Sequence, residues 1–205
     1  MDCIHRIGDT QRDFANLQNQ REKYMLSKLK PKIKDVLEIY PRLKDKQSIN
    51  VLLILGAVHT RLHNQLKRSN QYETVNREFN VIPFSYSFHD EARRRYLFSR
   101  PLTDTLLGRV FLENIFTFSF FDVRGFGSRP SFINEEVGSV KIESFKRKII
   151  SQFSFEEARE IFEKLKQGES AWQLFETKFV EKGIKIPSSE KELDEYLAKP
   201  MTKNQ

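Results

Sequence analysis

Four side chains in the first third of the chain are of types that do chemistry at short spacing. Arg21 and Glu22 are adjacent, and His59 and His63 stand four apart. Two histidines at that spacing share one face of a helix, as metal-ligating pairs do, so His59 and His63 are candidate ligands for a divalent metal ion. The familiar zinc helix of peptidases also carries a glutamate directly after its first histidine. Thr60 holds that place here, which removes that mechanism. The plainer alternative is a hydrogen-bonded turn histidine and an exposed helix histidine. Arg21 and Glu22 also have two readings: an anion clamp and a carboxylate aimed at His59, or a surface charge pair. Read as a set, His59, Arg21 and Glu22 are the catalytic candidates for acid–base or metal-assisted work.

These residues need elements to position them. Asn50 is followed by Val51-Leu-Leu-Ile-Leu55, then Gly56-Ala-Val-His59. An unbroken run of Val, Leu and Ile suits a strand covered on both faces. A glycine at its end lets the backbone turn. His59 would then lie at the carboxyl edge of a sheet, where open α/β folds bind their ligands. Thr60–Arg68 follows as a helix with Leu62 and Leu66 toward the sheet, and Glu78–Tyr86 is a second strand candidate, with Pro83 suiting an edge. Strand, helix and strand over this length fit one crossover unit. Upstream, residues 10–40 carry apolar residues at helical spacing, from Phe14 and Leu17 to Val36 and Leu37, with Pro31 expected to end or kink the helix.

The fold class expected is therefore α/β and helix-rich. A small, mostly parallel sheet has flanking helices and a C-terminal helical appendage. The division is residues 1–135 as the α/β part and 136–205 as the helical segment. Within the first, His89–Phe98 and Leu102–Phe116 read as helices, and 124–130 as a loop. Lys141–Phe153 reads as a further helix. Ser154-Phe-Glu-Glu157 and Ser189-Glu-Lys-Glu192 are capping-box patterns, and Gly168 and Gly183 stand where helices end. They predict helices over Phe155–Lys166, Ser170–Lys182 and a short one before Pro200.

Composition narrows the classes. Eighteen phenylalanines in 205 residues supply a core, and a mean hydropathy of −0.57 with 31 % charged residues argues against wholesale disorder. No apolar stretch approaches the roughly 20 residues that span a bilayer. The N-terminus lacks a signal-peptide layout, and a single cysteine, Cys3, forms no internal disulfide, so the expected setting is reducing and cytoplasmic. The net charge of +7 and pI near 9.4 raise nucleic-acid association as a reading. Arg93-Arg94-Arg95 with Tyr96 and Phe98 would hold a phosphate beside a base, or simply make a solvated helix face.

The combination Gln20-Arg21-Glu22-Lys23-Tyr24-Met25, then Val51-Leu-Leu-Ile-Leu-Gly-Ala-Val-His59-Thr60, resembles the second half of the TraB/Tiki-type GxxH family. Its distant relatives are the erythromycin-esterase-like and haem-binding ChaN-like proteins. In that group a helix bearing an arginine precedes a strand ending in Gly-x-x-His, and both face one cleft. The resemblance spans about Thr10 to Leu66 and matches Gly56 and His59 to the second GxxH motif, Arg21 to the helix arginine and Glu22 to its polar neighbour. It implies a hydrolase-like domain acting on an amide or ester, with zinc, manganese or iron as the divalent metal. The family uses two GxxH motifs, and no earlier Gly-x-x-His occurs here. The implied centre is thus incomplete, to be finished by a second polypeptide or an N-terminal half. A non-catalytic protein-interaction module is the alternative function, and a basic nucleic-acid-associated protein the third.

Overall fold

Helices account for every regular element of the computed structural model, which describes residues 3–56, 59–69, 71–78, 87–123 and 135–199. Among these residues there are eight α-helices, a 3-10 turn at Pro41–Leu43 and no strand. The helices are α1 Cys3–Ile39, α2 Thr60–Arg68, α3 Phe88–Leu97, α4 Asp104–Val123, α5 Glu135–Ile150, α6 Phe155–Lys166, α7 Ala171–Lys182 and α8 Glu190–Ala198.

The expected α/β fold with its parallel sheet is overturned. Val51–Leu55 has no regular structure and is exposed throughout, with Leu52 at 84 % and Ile54 at 83 %. An apolar run becomes a strand only where a neighbour completes its hydrogen-bond ladder and covers its faces. No backbone hydrogen bond joins residues 51–55 to any described residue. The second expected strand, Glu78–Tyr86, lies outside the described residues from position 79 on. Leu62 and Leu66 are buried, as expected, but α2 packs on α1 and not on a sheet. Pro31 neither ends nor divides α1. Ser27 and Pro31 are both exposed, so the carbonyl that loses its amide partner is open to water.

The core is built around α4, which packs against α1, α3, α5, α6 and α7. Its Leu106, Leu107, Val110, Leu112 and Phe116 are buried. Phe116 meets Phe175 edge-on at 5.2 Å, and Phe153 meets Phe175 at 5.9 Å. Such pairs add to the roughly 1.5–3 kcal/mol that each fully buried large apolar side chain contributes. Gly108 sits where α4 crosses α6: a Cβ there would lie 3.1 Å from both Ala158 Cβ and Phe155 Cδ2. The capping box at Ser154 forms as expected, whereas at Ser189 only half of it does: the Ser189 hydroxyl accepts from Glu192 N–H at 3.3 Å, and the Glu192 carboxylate accepts from Ser188 N–H at 2.9 Å instead. Ser154 accepts from Glu157 N–H at 3.2 Å while the Glu157 carboxylate accepts from Ser154 N–H at 2.8 Å. Gly183 closes α7 at φ 63°, a left-handed turn that glycine adopts without strain.

Helix α1 departs from its apolar pattern. Its buried positions are Ile4, Gly8, Gln11, Ala15 and Glu22, while Phe14, Leu17 and Tyr24 are 49 %, 55 % and 65 % exposed. Small residues at 8 and 15 let neighbouring helices come close, and the polar side chains between them face those neighbours. No residue of α1 after Glu22 is buried.

Candidate functional site

His59 and Glu22 come together. His59 precedes the first turn of α2, held by a turn in which its N–H donates to the Gly56 carbonyl at 3.1 Å. The Gly56 backbone does not use a positive φ, so the turn does not demand glycine. Glu22 reaches the same point from the buried stripe of α1, one turn beyond Gln18. The Glu22 side chain is wholly buried and that of His59 is 9 % exposed.

Three contacts define the cluster. The Gln18 side-chain amide nitrogen lies 3.1 Å from Glu22 Oε1 and 3.1 Å from His59 Nδ1, and His59 Nδ1 stands 3.4 Å from Glu22 Oε1. Gln18 carries two amide hydrogens, enough to donate to both acceptors. With Gln18 as donor to both, Nδ1 is the acceptor and Nε2 carries the ring N–H. Among the described residues Glu22 Oε2 has no hydrogen-bond partner, and neither do the buried Asn19 Oδ1 of α1 and Gln65 Oε1 of α2. A buried carboxylate oxygen left so costs free energy until a proton, water or cation answers it.

The other candidates do not join this cluster. Arg21 is exposed, on the flank of α1 that Glu22 turns away from. Successive helix residues point about 100° apart, so adjacency in sequence separates these two side chains. His63 is half-buried and its contact is with neighbouring Asn64 Oδ1 at 3.3 Å. Among the described residues no three His, Cys, Asp or Glu side chains converge as metal ligands. His59 and Glu22 alone supply fewer donors than the three or four of a zinc site.

A second polar cluster had no counterpart in the motifs. His89 of α3 lies between Gln11 of α1, 2.9 Å from Nδ1, and Asn114 of α4, 2.7 Å from Nε2. Burial lowers His89 below the ordinary imidazole range, against the Asn114 hydrogen bond. Glu113 accepts from the Phe88 and His89 N–H groups at 3.2 Å each, satisfying the start of α3, and its burial raises its carboxyl above the usual value. The signal that could have found both clusters is the spacing of Gln11, Ala15, Gln18 and Glu22, a helical stripe of small and polar residues.

The Arg93–Arg95 run does not act as a unit. Arg93 turns to Gln11, at 3.2 Å, and to Phe14, while Arg95 turns to Glu91, at 3.3 Å, and to the Pro101 carbonyl. No helix among the described residues is long and apolar enough to cross a membrane. No family model, curated protein or solved structure matches this chain.

Proposed function

We propose that this chain is a protein-interaction module that engages a second polypeptide through Val51–Leu55. The observation that carries this reading is the exposure of a wholly aliphatic run directly before the His59 turn. Covering a Val, Leu or Ile side chain is worth roughly 1.5–3 kcal/mol when burial is complete. Five in a row, with no backbone hydrogen bond to any described residue, make a strong incentive for a partner that offers both apolar cover and hydrogen bonds.

The test is a Leu52→Glu/Ile54→Glu double variant of the full chain, compared with wild type by light scattering across concentration and by capture from the source cells. The expected result is a specific complex with wild type, lost in the variant, with helical content and urea midpoint unchanged. A wild-type chain that stays monomeric and partnerless, or a variant that captures the same protein equally, overturns the reading.

A second reading, a GxxH-type hydrolase-like centre, is favoured by the Gln18–Glu22–His59 contacts. In that arrangement the His59 Nε2–H is a hydrogen-bond donor, suited to polarising the carbonyl oxygen of an amide or ester. Imidazole ¹⁵N shifts check it directly: the Nε2–H tautomer is expected, and a proton on Nδ1 would rule out this role. Metal analysis of wild type and His59→Ala tests the metal-assisted form.

A further inference from the structure

A cleft on the far side of α3 gathers basic residues from three helices. It has a volume of about 220 Å³ and is lined by Arg95 of α3, Arg109 of α4 and Arg147 of α5, with Glu91 the one carboxylate among the described lining residues. Three guanidinium charges against one carboxylate leave the lining at +2. We infer that this cleft is a binding site for a phosphate monoester group.

Glu91 bridges two of the arginines, 2.7 Å from Arg147 and 3.3 Å from Arg95. Arg109 and Arg147 both lie over the Phe88 ring, at 5.7 and 4.6 Å from its centroid. One aromatic ring and one carboxylate thus gather three cations, and Glu91 alone does not balance the charge of the lining. Arg109 is the strongest pointer. One of its terminal nitrogens donates to the Ser151 carbonyl at 2.7 Å, yet its buried Nε–H has no partner among the described residues. Burial lowers this guanidinium from its ordinary value, Glu91 opposes that, and the charge of Arg147 adds to the lowering.

The start of α4 completes the cleft. Thr103, Thr105 and Leu106 line it, at the N-terminus of a 20-residue helix. Amide groups there carry partial positive charge and favour an anion. The Thr103 hydroxyl accepts from Leu106 N–H at 3.2 Å. Asp104 does not line the cleft and pairs with His5 at 3.2 Å. The cleft is smaller than the roughly 300–1,000 Å³ of pockets for drug-sized ligands, so it fits an ionic head group and leaves the remainder of the ligand outside. Guanidinium forks are matched to phosphate oxygens in shape and charge. The ligand is thus a phosphate monoester, either a small soluble molecule or a lipid head group.

The experiment titrates the full chain with inorganic phosphate and glycerol phosphate, following arginine side-chain resonances. A parallel arm uses phosphatidylcholine vesicles with and without phosphatidic acid. Shifts at Arg95, Arg109 and Arg147 are expected, with soluble phosphate alone or with the vesicles as well, and the vesicle arm assigns the source. Arg95→Gln, at a partly exposed side chain, should weaken binding about tenfold. Glu91→Gln removes the internal anion and should tighten it by a similar factor. Should Glu91→Gln fail to fold, Arg95→Gln and the salt dependence of wild type decide. No shift with either source, or binding that Arg95→Gln leaves intact, overturns the site.

Discussion

The seam of α1 against α2 and α3 and the cluster around α4 bury side chains of opposite character. Around α4 the buried residues are Phe116, Phe153, Phe175, Ile149 and Ile161, close-packed and edge-on. Along α1 they include Gln11, Ala15 and Glu22, and the contacts are hydrogen bonds to His59, His89 and Arg93. An apolar core gains from every methylene it covers and tolerates approximate geometry. A polar seam gains little net from each bond and loses heavily when one is left unmade. The first region therefore supplies stability and the second supplies specificity of arrangement. Orphaned Glu22 Oε2 marks the seam as the part with unfinished chemistry.

This contrast is open to direct attack. Phe175→Ala should be the most damaging single change, costing about 3–5 kcal/mol by loss of transfer energy plus a cavity. Urea denaturation measures it, and a cost near that of a surface substitution would remove the α4 cluster as the source of stability. Glu22→Ala should cost about 1–3 kcal/mol, the penalty of stripping a buried polar partner. Its signature is regional: amide exchange should accelerate in α2 and leave α6 and α7 protected. Equal loss of protection everywhere would erase the distinction between the regions. Ser154→Ala should cost about 1 kcal/mol by removing half of a capping box, visible as a lower thermal midpoint.

The smallest expected effect is a pH dependence in the seam. Burial lowers His89 below 6.5, so the unfolded chain takes up its proton first as pH falls. Its contribution is complete above about pH 6.5 and is lost as pH drops through the folded value. Glu113 has the opposite sign. Its folded value is raised above 4.5, so its contribution is complete below that and is lost as pH rises through the folded value. His89→Gln should flatten the urea midpoint between about pH 7 and 5. An unchanged slope in the variant would place the dependence elsewhere.

Legibility followed the kind of force at work. The C-terminal helices were readable because their caps are local: Ser154, Glu157 and Gly183 act within one turn of themselves. Val51–Leu55 was misread because its composition states a need for cover without saying what provides it. The pairing of Glu22 with His59 was anticipated as a carboxylate aimed at the histidine. Gln18, which carries the hydrogen bonds between them, was not, since its place in the stripe with Gln11, Ala15 and Glu22 is visible only once small and polar residues are read as a buried face. Arg21 followed its neighbour in the sequence but not in space.

By itself the sequence determined the helix starts and stops at residues 154–198, the aromatic wealth of the core and the basic excess, all properties of short windows or of sums. Only the tertiary structure decided that α1 buries its polar stripe and that Arg95, Arg109 and Arg147 share one cleft. Helical repeats are set by nearest neighbours along the chain. Which face of a helix is covered, and which charges meet, depends on surfaces brought from a hundred residues away or less by the packing around α4.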